Sequence, residues 1–198
     1  VPEVLAKYEG EIQELKIKVA EKGQSLADDI ARVAAARDAL PSARLKVDAN
    51  MGYTLAGALE ALRKLCEYGI IYAEQPVASI EDMAALRFAI AKEGLPARIA
   101  ADESIRKAED PLKVARANAA DLMVIKAAPL GGVRRALALV EQAQLPAVVS
   151  SALESSVGIA TGASLAASLP TLRYGCGLGT VSLMAEDVTD EPLIARDG

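Results

Sequence analysis

Six polar residues recur along the chain at nearly regular intervals, each at the end of a short apolar run. They are Lys18, Asp48, Glu74, Asp102, Lys126 and Ser150, separated by 30, 26, 28, 24 and 24 residues. The three carboxylates among them would repel one another if they met without a cation. Mg²⁺ binds hard oxygen ligands and leaves coordination positions for substrate, whereas zinc favours nitrogen and sulfur. The pattern therefore predicts a Mg²⁺ site made by Asp48, Glu74 and Asp102, with Mn²⁺ as an acceptable substitute.

Two lysines flank the carboxylates along the chain. Lys18 precedes Asp48, and Lys126 follows Asp102. A free lysine has a pKa of about 10.4 and is a poor base near neutral pH. A nearby cation can lower that pKa by about two units, because such a shift needs only about 2.7 kcal/mol. A neutral lysine beside a metal-bound carboxylate suits removal of the proton α to that carboxylate, with the metal holding the enediolate.

The chain contains no histidine, and this excludes several kinds of chemistry. Ser-His-Asp and Cys-His nucleophile systems and histidine zinc sites cannot be built from it. Cys66 and Cys176 lack metal-ligand spacing and are expected to be packing residues in a reducing compartment. The formal net charge of −5, without a basic patch, argues against a nucleic-acid partner. The expected partner is a small-molecule carboxylate, and the sequence leaves the oligomeric state open.

The elements that must position these residues alternate along the chain. Of the 198 residues, 52% are hydrophobic but only 3% are aromatic, which is typical of buried parallel strands covered by Ala-rich helices. Seven apolar runs separated by helical stretches are predicted strands, at residues 15–19, 44–49, 70–74, 97–102, 122–127, 147–151 and 173–176. A further helix is predicted over residues 1–9. Helix arginines such as Arg32 and Arg37 are assigned to a solvated outer face.

Strict alternation of strands and helices fits either an open doubly wound sheet or a (β/α)₈ barrel. A dinucleotide-binding sheet should carry a glycine-rich turn after its first strand, and residues 20–23 (AEKG) lack that fingerprint. A barrel gathers the carboxyl ends of its strands around one mouth, whereas an open sheet would spread the six polar residues along a line. The sequence therefore predicts a single α/β domain over residues 1–198, a TIM (β/α)₈-type barrel with about seven βα units.

Five short motifs resemble those of the muconate-lactonizing subgroup of the enolase superfamily. They are Lys16-Ile17-Lys18, Val47-Asp48-Ala49-Asn50, Glu74-Gln75-Pro76, Ala101-Asp102-Glu103-Ser104 and Val124-Ile125-Lys126. Longer stretches resemble the o-succinylbenzoate synthases of that subgroup, at residues 19–29, 101–111, 126–133, 149–158 and 176–180. The resemblance covers essentially the whole chain. The superfamily pairs a lysine or histidine base with Mg²⁺, so the chemistry described above is a match to it.

The resemblance implies a Mg²⁺-dependent syn-dehydration in menaquinone biosynthesis, from 2-succinyl-6-hydroxy-2,4-cyclohexadiene-1-carboxylate to o-succinylbenzoate. It implies that Lys18 removes the α-proton and then protonates the departing hydroxide, while Lys126 stays protonated and stabilises the enediolate. The metal ligands that it implies are Asp48, Glu74 and Asp102. Substrate contacts are expected from Lys16, Asn50, Ser150 and Ser151. Glu103 is expected to support the metal ligands from behind or to form a salt bridge.

Two parts of the family pattern have no counterpart in this sequence. Family members carry an N-terminal α+β capping domain, and their barrel has a first strand that would precede residue 1 of this chain. A seven-stranded barrel leaves two unpaired edges, so the chain is interpreted as a truncated barrel or as one completed by residues outside it. Neither a signal peptide nor a membrane-spanning apolar run is found, and a cytoplasmic location is expected.

Three related enzymes and one inactive alternative stay open. N-acylamino acid racemase, dipeptide epimerase and muconate cycloisomerase use the same metal and lysines, and superfamily membership does not fix the substrate. A dipeptide epimerase should carry an Asp-x-Asp motif near the eighth strand, and residues 175–179 contain none. The last alternative is an inactive fragment or scaffold that keeps inherited motifs, although retention of all five argues against it.

Overall fold

The computed structural model describes residue 5 and residues 12–194. Within these ranges six parallel strands form one sheet, and their order across the sheet is their order along the chain. They are β1 (Glu14–Lys18), β2 (Arg44–Asp48), β3 (Ile70–Glu74), β4 (Arg98–Ala101), β5 (Leu122–Ile125) and β6 (Ala147–Val149). A doubly wound sheet reverses its strand order at a switch point. The uninterrupted order therefore identifies the sheet as an incomplete barrel and confirms the barrel-like fold class.

Helices connect the strands and cover the outside of the sheet. They are α1 (Leu26–Ala39), α2 (Leu55–Leu65), α3 (Ile80–Glu93), α4 (Glu103–Arg106), α5 (Lys113–Arg116), α6 (Val133–Ala143) and α7 (Ser156–Ser168), with 3₁₀ turns at Cys66–Tyr68 and Thr180–Leu183. Ser25 and Asp28 form a reciprocal capping pair that begins α1. The helix predicted over residues 1–9 lies outside the described residues, apart from the buried Leu5.

Within the described ranges, no helix has both the length and the apolar character needed to span a membrane.

Side chains alternate between the two faces of each strand. Outward-facing residues such as Leu45 and Val47 pack beneath the helices in the main hydrophobic cluster. Inward-facing residues form a second cluster made of Tyr72, Ala100, Leu122, Val124, Val148 and Tyr174. The next inward positions on three neighbouring strands are Glu74, Asp102 and Lys126. The hydrophobic interior thus ends in a layer of charge at the carboxyl ends of the strands.

The strand predicted at residues 173–176 is wrong for the described part of the chain. A single parallel bridge between Ser150 and Gly177 is formed there instead. This segment carries glycines at positions 175, 177 and 179, and glycine weakens a strand because it loses more backbone entropy and offers no side chain to pack. The predicted count of about seven βα units is therefore not confirmed, since six strands are present in residues 12–194.

Residues 173–177 nevertheless lie against β1 and β2. The Gly175 N–H donates to Glu14 Oε2 at 2.7 Å, and Lys46 Nζ donates to the Gly175 carbonyl at 2.9 Å. Lys46 also forms an ion pair with Glu14. Tyr174 packs edge-on against Tyr72, with 5.4 Å between the ring centroids. Side-chain bonds and one aromatic contact thus stand in place of a backbone ladder.

The assignment of Arg32 and Arg37 to a solvated outer face is wrong. Arg32 Nη1 donates to the Lys18 carbonyl at 2.6 Å, and Arg37 Nη1 donates to the Ala43 carbonyl at 2.7 Å. Arg32 therefore connects α1 with the end of β1, and Arg37 connects α1 with the residue before β2.

Candidate active site

Three carboxylates lie at the carboxyl ends of β2, β3 and β4. Asp48 and Glu74 are direct partners in the register between β2 and β3, and Asp102 follows the last residue of β4. Asp48 and Glu74 are each 1% exposed, and Asp102 is 2% exposed. Burial of three like charges in one region is costly unless cations compensate them.

Two lysines from β1 bind the carboxylates on one side. Lys16 Nζ lies 3.0 Å from Glu74 Oε1 and 3.1 Å from Asp48 Oδ2. Lys18 Nζ lies 2.6 Å from Asp48 Oδ2 and 2.5 Å from Asn50 Oδ1. Lys16 therefore sits between two carboxylates, while half-exposed Lys18 stands at the rim of the group.

A lysine and an arginine bind the carboxylate on the other side. Lys126 Nζ donates to both oxygens of Asp102, at 2.7 and 2.6 Å. Arg106 Nε donates to the same two oxygens at 3.0 and 3.1 Å, and Arg106 Nη2 donates to Glu103 Oε1 at 2.8 Å. Sequence reasoning missed Arg106, although its position three and four residues after two acidic residues is the spacing of helical ion pairs.

The charges are only partly balanced around Glu74. Burial raises the pKa of Glu74 to about 7 against the opposing charge of Lys16. Burial would also raise the pKa of Asp48, but Lys16 and Lys18 hold it below its usual value. Burial would lower the pKa of Lys16, but the two carboxylates hold it above its usual value. Additional positive charge beside Glu74 would therefore be stabilised.

The donor chemistry of these strand ends fits a hard divalent cation. The three buried carboxylates offer only oxygen, the ligand that Mg²⁺ prefers. Glu103 Oε2 is buried and has no hydrogen-bond partner among the described residues. Within residues 12–194, no group of three or more acidic or cysteine side chains stands close enough to hold an ion, and Lys16 Nζ lies between Asp48 and Glu74. The residues fit a cation by donor type, while ammonium groups bind the carboxylates directly.

Asn50 connects Lys18 with Glu103, the acidic residue that follows Asp102. Its backbone is left-handed, with a φ of 44°, in the turn after β2. Its side-chain oxygen accepts from Lys18, and its side-chain nitrogen donates to Glu103 Oε1 at 3.2 Å. The structure thus brings Asn50 and Glu103 together with the predicted metal and lysine residues, whose roles stay predictions.

The two predicted serines form their hydrogen bonds away from the carboxylates. Ser150 Oγ donates to the Ser151 carbonyl at 3.3 Å, and Ser151 Oγ donates to the Gly177 carbonyl at 3.0 Å. Thr180 Oγ1 donates to Ser151 Oγ at 2.9 Å. Ser151 therefore binds the chain after α7, which leaves Ser150 as the more available of the pair.

Sequence reasoning also missed a buried network behind Lys18. Asp29 Oδ2 accepts from the Ala20 N–H at 2.9 Å and from the Tyr53 hydroxyl at 2.7 Å. Arg32 lies 3.2 Å from Asp29 Oδ1 and also donates to the Lys18 carbonyl. The network ties the chain after Lys18 to α1 and to the loop before α2. An acidic residue in a first helical turn is common, so the sequence alone carried no signal for this network.

The chain belongs to the enolase C-terminal domain-like family, whose sequence model matches residues 3–198. The predicted membership of the enolase superfamily is thereby confirmed.

o-Succinylbenzoate synthases are among the similar curated proteins. The synthase of Mycolicibacterium smegmatis is 55% identical over 100% of this chain and 59% of its own length. The synthase of Thermobifida fusca is 51% identical over 92% of this chain and 56% of its own length. These identities confirm the resemblance predicted from the motifs. The chain thus spans less than two-thirds of the length of these relatives.

Solved structures of other superfamily members share the fold. A muconate cycloisomerase from Pseudomonas fluorescens aligns with a TM-score of 0.80 and 32% identity, over 93% of this chain and 51% of that one. A dipeptide epimerase from Enterococcus faecalis aligns with a TM-score of 0.82 and 26% identity, over 99% of this chain and 58% of that one.

Proposed function

We propose that this chain is the catalytic barrel portion of an o-succinylbenzoate synthase, a lyase that removes water from 2-succinyl-6-hydroxy-2,4-cyclohexadiene-1-carboxylate. The observation that carries the proposal is the row of three buried carboxylates with a lysine bound at each end. Identities above 50% to two such synthases support this substrate over the others used in the superfamily. Both synthases are longer than this chain, which covers 59% and 56% of their lengths.

The proposed ligands of a divalent cation are Asp48, Glu74 and Asp102, and the proposed cation is Mg²⁺, with Mn²⁺ as a substitute. When bound, the cation would stabilise the negative charge that develops on the substrate carboxylate as the α-proton is lost. The pKa of Glu74, raised to about 7 by burial, supports a cation at this position because the nearby ammonium groups do not fully compensate its charge.

Lys18 is the proposed base. Its side chain is half exposed, and its nitrogen is held by Asp48 Oδ2 and Asn50 Oδ1, so it can reach a substrate at the mouth of the barrel. In its neutral form it takes the α-proton, whose C–H electron pair becomes the new carbon–carbon double bond. The resulting ammonium then returns that proton to the departing hydroxide on the same face as the C–O bond breaks, and water leaves. One residue thus serves as base and acid.

Lys126 is the proposed electrostatic partner. Its side chain is buried, and its Nζ donates to both oxygens of Asp102. A fixed ammonium facing the substrate carboxylate would stabilise charge there without exchanging a proton.

Four further residues have proposed roles around the lysines and the carboxylates. Asn50 orients Lys18 and Glu103, and Ser150 is the serine proposed to contact substrate. Lys16 binds Glu74 and Asp48, which supports a role in balancing their charge rather than in contacting substrate. Glu103 would support Asp102 through their shared partner Arg106.

The direct test is turnover of the cyclohexadiene substrate followed by ultraviolet absorbance, with and without Mg²⁺. We expect Mg²⁺-dependent product formation that is lost in Lys18→Ala and kept in Lys22→Ala, an exposed lysine in the following loop. Turnover that survives Lys18→Ala would contradict the proposed base. If the chain binds Mg²⁺ but shows no turnover, catalysis needs residues from the parts of the longer synthases that this chain does not match.

A second candidate is racemisation or epimerisation, which needs a base on each face of the substrate. The placement of Lys18 and Lys126 at opposite ends of the carboxylate row favours this alternative, and a dipeptide epimerase is among the similar structures. Lys126→Arg separates the two, because it keeps the positive charge but not the base. Dehydration should survive this change in part, whereas racemisation of an N-acylamino acid or a dipeptide should be abolished.

A further inference from the structure

Gln75 has an unusual environment for a residue outside the proposed ligand set. It follows Glu74 directly, its side chain is fully buried, and its backbone φ is 36°. A residue other than glycine is strained in this left-handed region and persists there only where its surroundings hold it. The surroundings of Gln75 are therefore expected to include strong and specific bonds.

Both ends of the Gln75 amide bind the chain around the end of β4. Its Oε1 accepts from the backbone N–H groups of Asp102 and Ser104, each at 3.1 Å. Its Nε2 donates to Ser104 Oγ at 2.7 Å and to the Val77 carbonyl at 3.0 Å. The amide thus fixes the backbone of Asp102 relative to the end of β3, which carries Glu74.

The backbone of Gln75 makes two further connections. Its N–H donates to the Ala100 carbonyl at 2.8 Å, which continues the pairing of β3 with β4. Its carbonyl accepts from the Met51 N–H at 2.7 Å, in the turn that follows Asp48. Gln75 is therefore hydrogen-bonded to the segments that follow β2, β3 and β4, the three strands whose ends carry the carboxylates.

We propose that Gln75 is a positioning residue that fixes the backbone at the ends of β2, β3 and β4, from which the side chains of Asp48, Glu74 and Asp102 would turn towards one small divalent cation. This inference rests on the proposed function, because it assumes that those carboxylates bind the cation. Mg²⁺ requires near-octahedral geometry with oxygens near 2.1 Å, whereas Ca²⁺ accepts more ligands at longer and more varied distances. A loss of carboxylate spacing should therefore weaken Mg²⁺ binding more than Ca²⁺ binding.

The experiment is calorimetric titration of the 198-residue chain with Mg²⁺ and with Ca²⁺. The variants are Gln75→Leu, which keeps a similar volume but loses the amide, and Leu139→Ala on α6, which truncates a buried side chain at another element. We expect Gln75→Leu to bind Mg²⁺ about 10–100-fold more weakly, the usual effect of removing a support of metal ligands, with a smaller change for Ca²⁺. Leu139→Ala should lower the unfolding temperature and keep the affinity for both ions.

A folded Gln75→Leu that binds Mg²⁺ as tightly as the wild type would overturn the inference and leave the proposed function standing. Equal losses for Mg²⁺ and Ca²⁺ would also overturn it, since a general loss of structure predicts that result. If Gln75→Leu does not fold, Ser104→Ala decides, because it removes only one partner of the amide. A lowered preference for Mg²⁺ in Ser104→Ala supports the inference, and an unchanged preference overturns it. A folded wild type that binds neither ion overturns the cation site and the inference together.

Discussion

At the scale of single residues, the site depends on how buried charges compensate one another. Three carboxylates that are at most 2% exposed bind four cationic side chains, Lys16, Lys18, Arg106 and Lys126, and among the described residues Glu74 pairs with Lys16 alone. The types and spacing of the carboxylates and lysines are visible in the sequence, because each ends an apolar strand. The pairing of Lys16 with Glu74 depends on the inward face shared by β1, β2 and β3 and could not be predicted.

The first prediction concerns the protonation of Glu74. Because burial raises the pKa of this carboxyl to about 7, a proton occupies it below that pH in the cation-free chain and must leave when a cation binds. Mg²⁺ affinity should therefore fall as pH drops below about 7, with close to one proton released per ion at pH 6 and less at pH 8. Calorimetry in two buffers of different ionisation enthalpy measures this release.

The same pKa shift sets the sign of the pH dependence of stability. The folded chain holds the Glu74 proton more tightly than the unfolded chain does, so cation-free stability should fall as pH rises from about 4.5 to about 7. Thermal unfolding across this range measures the effect, and Glu74→Gln, which cannot titrate, is the control. An affinity for Mg²⁺ that does not change between pH 6 and pH 8 would contradict this account of Glu74.

At the scale of elements, the loops after the strands are held by residues that the sequence does not single out. The left-handed Ala20, with a φ of 57°, lies in the loop after β1, and a Cβ at Gly52 would come within 2.6 Å of the Ala20 carbonyl oxygen. The two loops therefore touch, and Asp29 bonds to both of them. Alternation of strands and helices predicts where such loops fall. It does not predict which helix residues bind them, because that depends on the angle at which α1 packs.

The second prediction tests the Asp29 network. Asp29→Asn should weaken the bonds to Ala20 and Tyr53 and destabilise the fold by about 1–3 kcal/mol, since a buried donor would be left without its partner. The Ala20 amide should exchange with deuterium faster, and turnover should fall without a matching rise in KM because Lys18 is displaced. Asp38→Asn, an exposed position on the same helix, is the matched control. An unchanged exchange rate at Ala20 in Asp29→Asn would show that this network does not hold the loop.

At the scale of the whole molecule, the six strands of the described ranges form an incomplete barrel, and residues 173–177 lie against its open side. Strand periodicity predicts the barrel, because one polar residue ends each βα unit. The same periodicity overestimates the strand count, since the predicted run at residues 173–176 forms no strand and a single bridge, between Gly177 and Ser150, follows it. Hydrophobic pattern alone does not distinguish a strand from such a segment.

The third prediction tests this closure. Tyr174 is buried against Tyr72 inside the barrel, and Tyr174→Ala should lower the free energy of unfolding by about 3–5 kcal/mol, the usual cost of removing a buried aromatic side chain. Denaturant unfolding measures it, with the half-exposed Leu172→Ala as the control that should change little. Equal and small losses in the two variants would mean that residues 173–177 do not stabilise the barrel.

The claim most central to this account is that Asp48, Glu74 and Asp102 together bind one divalent cation. Titration of the chain with Mn²⁺, followed by electron paramagnetic resonance of the free ion, tests it most directly, with Asp48→Asn, Glu74→Gln and Asp102→Asn as variants and Asp38→Asn as the control. The account predicts one tight site in the wild type and in Asp38→Asn, and its loss in each of the other three. A folded wild type that leaves all Mn²⁺ free, or a site that survives all three substitutions, would contradict it.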